Sequence, residues 1–421
     1  MPDYKRKKVK KSSINKKERH KLDNDIIMNS KKRKGIVPED EIKVIRGAKY
    51  NRNVRNKFLL SVIAIVAIVY FVFSLILPVS VYESVVNASY VMGHGKYPID
   101  TQGSTVYNCE SQGHYYYLLT DTTIAAYSNS GKNAFSDMHG FSNPIMSTSQ
   151  SRAIVYDQGG KSLYVYNLSG RIHKLETKQE IISASISRDG TFAVATHSDG
   201  YASVVSVYDK NFDEIFTWKS AKDIVNNVLV NPTGNRLSVS TLNASSGEFT
   251  SKVMILNFES ADPLYSLDLG DSVVLSLMNT GKGLSVVTKD NYRFIHWNKF
   301  NTNEIVSSGE INIVRKGDKG MLLVFNRAND RSDNTVILVS NKGVKSKEFS
   351  ISNLITDIQY NKGRVYYITD TVVNILDNDG KILRYDDCNY GTKKFAIISS
   401  NSIATISDTE IVKTDIEKGE Y

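Results

Sequence analysis

The sequence holds only two cysteines, Cys109 and Cys388, in 421 residues. Two thiols cannot staple a domain of several hundred residues, so a large apolar core must hold it together rather than a disulfide framework. The seven histidines, His20, His94, His114, His139, His173, His197 and His296, show no His-x-x-x-His or Cys/His spacing, which leaves a zinc site without support. A Gly-x-Ser-x-Gly elbow and a phosphate loop are missing as well. The stretch "LDNDGKI", with Asp377, Asp379 and Gly380, has the opening of a calcium loop. Position twelve of such a loop falls on Cys388 and not on Glu, so the stretch reads as a hairpin turn. No catalytic, cofactor-binding or metal-ligating residue can be nominated, and no cofactor is implied.

What the chain does have is distributed unevenly. Its net charge is +9, yet residues 1–57 carry 20 Lys and Arg against 7 Asp and Glu, so the remainder is mildly acidic. The tail includes "KRKKVKK" at 5–11 and "KKRK" at 31–34, with too little apolar material to fold alone, and is expected to be disordered. Phe58 to Leu77 then runs for 20 residues without a charge. A helix of that length spans roughly 30 Å, the thickness of a bilayer's hydrocarbon core. The excess of Lys and Arg before it, by the positive-inside rule, places the N-terminus in the cytoplasm. The expectation is a single-pass protein of the cell membrane: a basic cytoplasmic tail (1–57), a transmembrane helix (58–78) and an extracytoplasmic domain (79–421).

The outer domain repeats itself. "SISRDGTFAVAT" (185–196) alternates polar and apolar residues on both sides of Asp189-Gly190, which is the pattern of a β-hairpin. Altered copies follow as "LVNPTGNRLSVST" (229–241) and "LMNTGKGLSVVT" (277–288). The turn glycines Gly190, Gly234 and Gly281 lie at the 40–50-residue spacing of propeller blades. Cutting the chain in this way gives eight four-strand units, beginning near 104, 141, 179, 222, 271, 310, 353 and 391, or seven if one weak unit is a linker. Third strands are expected to turn at Ser130-Gly131, Ser169-Gly170, Lys342-Gly343 and Asp379-Gly380. The last unit ends before its fourth strand, while Val81 to Asp100 belongs to no unit and contains the strand-like "VYESVVNASYVM". Ring closure by this N-terminal segment is the economical reading, since closure protects exposed edges. The fold class is therefore all-β, a β-propeller of eight or seven blades.

These hairpins resemble those of the WD40-like β-propeller superfamily. The Trp-Asp dipeptide of true WD40 repeats is absent, because Lys219 follows Trp218 and Asn298 follows Trp297. The whole plan also resembles uncharacterised bacterial single-pass membrane proteins with an outer propeller. That resemblance implies a fold and a topology, but no activity and no functional residues.

Function follows only coarsely. A rigid disc with loop-lined faces suits a non-enzymatic scaffold that binds an extracytoplasmic protein or glycan. The alternative is a hydrolase or lyase acting on cell-envelope polymer, with its site at the channel. Converging carboxylates or histidines in the channel mouth would favour the enzyme, and Ser, Thr and apolar groups the scaffold. The tail's expected partners are the lipid bilayer and a cytoplasmic protein; without aromatic interleaving, nucleic acid is not expected. The Ser-rich strands read as half-exposed sheet. "HYYYLL" (114–119) and "RVYYIT" (364–369) read as packing between blades, the alternative being an aromatic binding surface. Cys109 and Cys388 fall at turns on opposite faces of a disc and are expected to be free thiols.

Overall fold

The computed structural model describes residues 52–76, 79–245, 247–306, 309–327 and 330–417. The basic segments at 5–11 and 31–34, and almost all of the 1–57 tail, lie outside the described residues. Helix α1 spans Arg52–Ile76 and helix α2 spans Val79–Val91.

Eight four-stranded antiparallel sheets follow. Blade 1 covers 106–138, blade 2 144–176, blade 3 181–220 and blade 4 224–270. Blade 5 covers 276–306, blade 6 310–351, blade 7 357–387 and blade 8 394–415. First strands of blades 2 and 3, 3 and 4, 4 and 5, 6 and 7, and 8 and 1 touch one another, so the first strands are innermost and the ring is closed. Blade 8 supplies only three strands from the C-terminus. Its fourth is Ile99–Asp100, paired as Ile99↔Ile411 and Asp100↔Glu410. Closure by the N-terminal segment is thus found, through a shorter stretch than expected. Val79–Val91 is a helix, although its β-branched and aromatic residues read locally as strand.

Each of the eight gaps between blades holds one apolar cluster. Strand alternation explains how a single strand serves two gaps. Tyr115 and Tyr117 face blade 2, whereas Tyr116 faces blade 8. Tyr366 packs toward blade 8 and Tyr367 toward blade 6. The dense tyrosine patches are therefore interior packing, and they form no aromatic surface.

In a four-stranded meander the first-to-second and third-to-fourth turns share one end, here called the front face. The three repeated hairpins are the first-to-second turns of blades 3, 4 and 5. Gly234 in the second of them has φ +67°, and a Cβ there would fall 2.2 Å from the Asp189 carboxylate of the preceding blade's turn. Only glycine meets both demands. The expected glycine turns at Gly131, Gly170, Gly343 and Gly380 all show positive φ. The Asp377 carboxylate accepts from Asp379 N and Lys381 N, each at 2.9 Å, so the calcium-like stretch is a hairpin turn.

The expected single-pass membrane placement is not supported. Among the described residues no helix is long and apolar enough to cross a membrane. The bilayer as a partner, and the cytoplasmic and extracytoplasmic assignment of the two ends, lose their basis with it.

Candidate functional site

The innermost strands have one backbone edge toward the channel, and serines of neighbouring blades satisfy part of it. Ser147 Oγ accepts from Ile186 N at 3.4 Å, Ser183 Oγ from Val228 N at 3.3 Å and Ser185 Oγ from Val230 N at 3.0 Å. Ser111 Oγ accepts from Ile397 N at 3.3 Å, tying blade 8 to blade 1. Ser183 and Ser185 are buried while Ser111 and Ser147 are half-exposed as expected, and all four bridge neighbouring blades. Gln359 Nε2 adds a link by donating to Phe395 O at 2.5 Å.

The inner strands of four blades carry Glu110, Arg315, Lys316, Asp357 and Lys394. Asp357, buried in the first strand of blade 7, accepts from Arg315 Nη2 of blade 6 at 2.9 Å, and Lys394 Nζ of blade 8 lies 3.9 Å away. Arg315 also donates to Val314 O at 3.1 Å. Asp357 and Lys394 are the first residues of their strands, at the end away from the front-face turns. Nearer the front face stand Glu110 and Lys316, each the next-to-last residue of its inner strand. Arg188, in the first-to-second turn of blade 3, is exposed, as is Lys316.

Burial raises the Glu110 carboxyl above its usual range, with Arg315, a hydrogen bond from Asn108 and Lys316 opposing the shift. Burial lowers the Lys316 ammonium, Glu110 raises it, and Arg188 lowers it further. Lys316 and Arg188 have no hydrogen-bonded or ion-paired partner among the described residues, and a Glu110 carboxyl that resists ionising is a weak counter-ion. Cys109, behind Glu110, is fully buried, and desolvation lifts its thiol well above the ordinary range.

Sequence analysis nominated none of these residues. Glu110 and Lys316 are far apart in the chain and carry no local motif. The one available signal was the charged pair Arg315-Lys316 at the end of the otherwise apolar "EINIV" strand. Among the described residues no group of three metal-ligating side chains occurs. His139 is buried, its Nε2 donating to Thr120 O (3.1 Å) and its Nδ1 accepting from Phe141 N (3.0 Å), and burial lowers its pKa.

Helix α2 docks on the front face. Arg152 Nε donates to Glu83 Oε1 at 2.9 Å and Oε2 at 3.1 Å, while Nη1 donates to Lys210 O at 2.8 Å. Asn87 Nδ2 donates to Ser151 O at 3.3 Å.

Residues 89–416 match the family of unknown function DUF5711, which spans every blade. The chain belongs to that family. No curated protein matches it. Among solved structures, the chain is similar to the computationally designed Ika8 protein, at 12% identity and TM-score 0.56, covering 75% of this chain and 97% of that one. The C-terminal WD40 domain of Sif2 is similar at 12% identity and TM-score 0.54, covering 77% of this chain and 100% of that domain. At such identity the likeness is one of fold: DUF5711 here is a WD40-like eight-bladed propeller, and fold alone assigns it no role.

Proposed function

We propose that this DUF5711 protein is a non-enzymatic scaffold that presents the front face of its ring to a partner protein or ligand. One observation carries the reading: the front-face turns are locked before anything binds. The Asp189 carboxylate accepts from Thr191 N and Thr191 Oγ1, each at 3.1 Å, and also from Ser187 Oγ. Asn231 Oδ1 accepts from Asn235 N at 2.9 Å and Arg236 N at 3.0 Å. Polar groups held in place in this way need little ordering on association, which is how a rigid surface gains affinity. A photo-crosslinking residue at Thr233, exposed on the front face, is expected to give a discrete adduct in cells that make the protein. The same residue at Asp199, in a back-face loop, is expected to give none. Identical adducts from both positions, or no adduct at Thr233, would overturn the reading.

A second reading, a hydrolase or lyase working on a polymer at the channel, draws on Glu110 and Lys316. Their pKa values are pushed toward each other in one lumen, the pattern of an acid and a base made ready for proton transfer. Loss of polymer turnover in Glu110→Gln, with the Thr233 adduct unchanged, would decide for it.

A further inference from the structure

We propose that a cleft between blades 6 and 7, on the back face of the ring, binds one neutral sugar residue. The site goes beyond the front-face reading and does not depend on it. The cleft has a volume of about 320 Å³ and is lined by Asn353, Leu354, Thr369, Asp370, Val372 and Asn374. That volume falls in the range of small-ligand sites. Its walls come from two blades. Asn353 and Leu354 lie in the link from the outer strand of blade 6, Lys345–Ile351, to the inner strand of blade 7. The other four belong to the second-to-third turn and third strand of blade 7. Both walls are held without a ligand. Buried Asn334 of blade 6 donates through Nδ2 to Asn353 O at 2.7 Å and to Ile351 O at 3.2 Å. Val372 N donates to Thr369 Oγ1 at 3.2 Å, and Thr369 N donates to Val372 O at 2.9 Å. Asn374 is 5% exposed, yet its amide makes no hydrogen bond among the described residues while lining the cleft. It lies directly opposite Tyr367, whose ring packs toward blade 6, so it faces the same seam. A buried amide without a partner is unfavourable, and a ligand that reaches it gains bonds to a group already stripped of most of its water. Asp370 is exposed and likewise has no hydrogen bond or ion pair among the described residues. The ligand's chemistry follows from this set. Asp370 only accepts, the two amides both donate and accept, and no Lys, Arg or His lines the cleft, so an anion is repelled. A simple amine would satisfy Asp370 but leave Asn374 and the aliphatic surface of Leu354 and Val372 unused. A sugar ring offers hydroxyls that donate to Asp370 and exchange bonds with both amides, and C–H faces that lie on Leu354 and Val372.

Saturation-transfer difference NMR of the full chain with glucose and galactose tests the site. Saturable binding of at least one of the two is expected. Cyclohexanol, which keeps a ring but lacks the array of hydroxyls, and glucuronate, which sets a carboxylate against Asp370, should each bind at least about tenfold more weakly. Asp370→Ala changes an exposed side chain in a turn, so it keeps the fold, and it should weaken the hexose about tenfold or more, the usual effect of losing a hydrogen bond to a charged group. Asn374→Leu, a change of similar size, should weaken binding as well while the melting temperature holds or rises, because the amide has no partner to lose. A purely structural amide would lower the melting temperature instead. No saturable signal from either hexose, an unchanged affinity in Asp370→Ala, or binding of ethanolamine in place of the sugars overturns the site. The Thr233 adduct reports separately: its persistence alongside a failed sugar titration sinks this site and leaves the scaffold standing.

Discussion

At the scale of single residues, the most consequential contact outside the channel is the ion pair between Glu83 and Arg152. Each is less than a tenth exposed, and the guanidinium is further occupied by Lys210 O and the Phe212 ring, 5.3 Å from its centre. Removing one partner strands a buried charge. Arg152→Ala is therefore expected to lower stability by about 3–5 kcal/mol in urea unfolding, while replacing both partners by methionine should recover most of the loss. The buried phenols set a different dependence. Burial raises Tyr115 and Tyr292 from the ordinary 10 to about 12. Below pH 10 the phenols are neutral in both folded and unfolded chains. Above it the unfolded chain ionises first and the folded state retains its protons, so stability falls as the pH rises toward 12. Each phenol accounts for about 3 kcal/mol of that loss. Tyr292→Phe should reduce the slope of the unfolding midpoint between pH 10 and 12, at the cost of the 2.9 Å bond to Ser285. An unchanged slope would mean that Tyr292 is not the titrating group.

At the scale of elements, helix α2 and the closing strand do separate work, and truncation separates them. A chain beginning at Val79 keeps both. One beginning at Gly95 keeps Ile99–Asp100 but leaves Arg152 without Glu83. One beginning at Ser104 also loses the fourth strand of blade 8 and exposes the edge of Glu410–Asp415. The first is expected to be soluble with full strand content, the second folded but less stable by the cost of the orphaned Arg152, and the third aggregated. Equal melting of all three would remove any role for closure. Much of this element order was legible in the sequence. Strand alternation and glycine turns repeat with a fixed period, and the eight expected starts fall close to the observed first strands. Helix α2 was not legible. Valine and tyrosine favour strand locally, and its helical form depends on docking Glu83 and Asn87 onto turns more than 60 residues away. The uncharged run at 58–77 was legible as a pattern, but its length alone did not establish a membrane span.

At the scale of the whole molecule, the ring brings together what the chain separates. Glu110, Lys316, Asp357 and Lys394 come from the inner strands of four blades. Each is an unremarkable charge in its own segment, so no spacing rule could have assembled them. The same closure ties blade 1 to blade 8, through Cys109 packing in the cluster shared by Val106, Tyr116, Ala396 and Ile411. Both cysteines are free, as expected. Cys109 stands within the strand Val106–Ser111 rather than near its turn, and Cys388 follows the last strand of blade 7 in a partly exposed loop. The two thiols should therefore report on different motions. In native protein an alkylating reagent is expected to modify Cys388 while Cys109 stays protected, both by burial and by a thiol held protonated. Modification of Cys109 then requires the seam between blades 1 and 8 to open. Its labelling rate should rise with urea in step with global unfolding, because a closed ring cannot release one blade without exposing the edges of its neighbours. Mass spectrometry after timed alkylation measures both rates. Labelling of Cys109 well below the unfolding transition, at a rate insensitive to urea, would show that the ring breathes at its closing seam and that blade 8 is a separable unit.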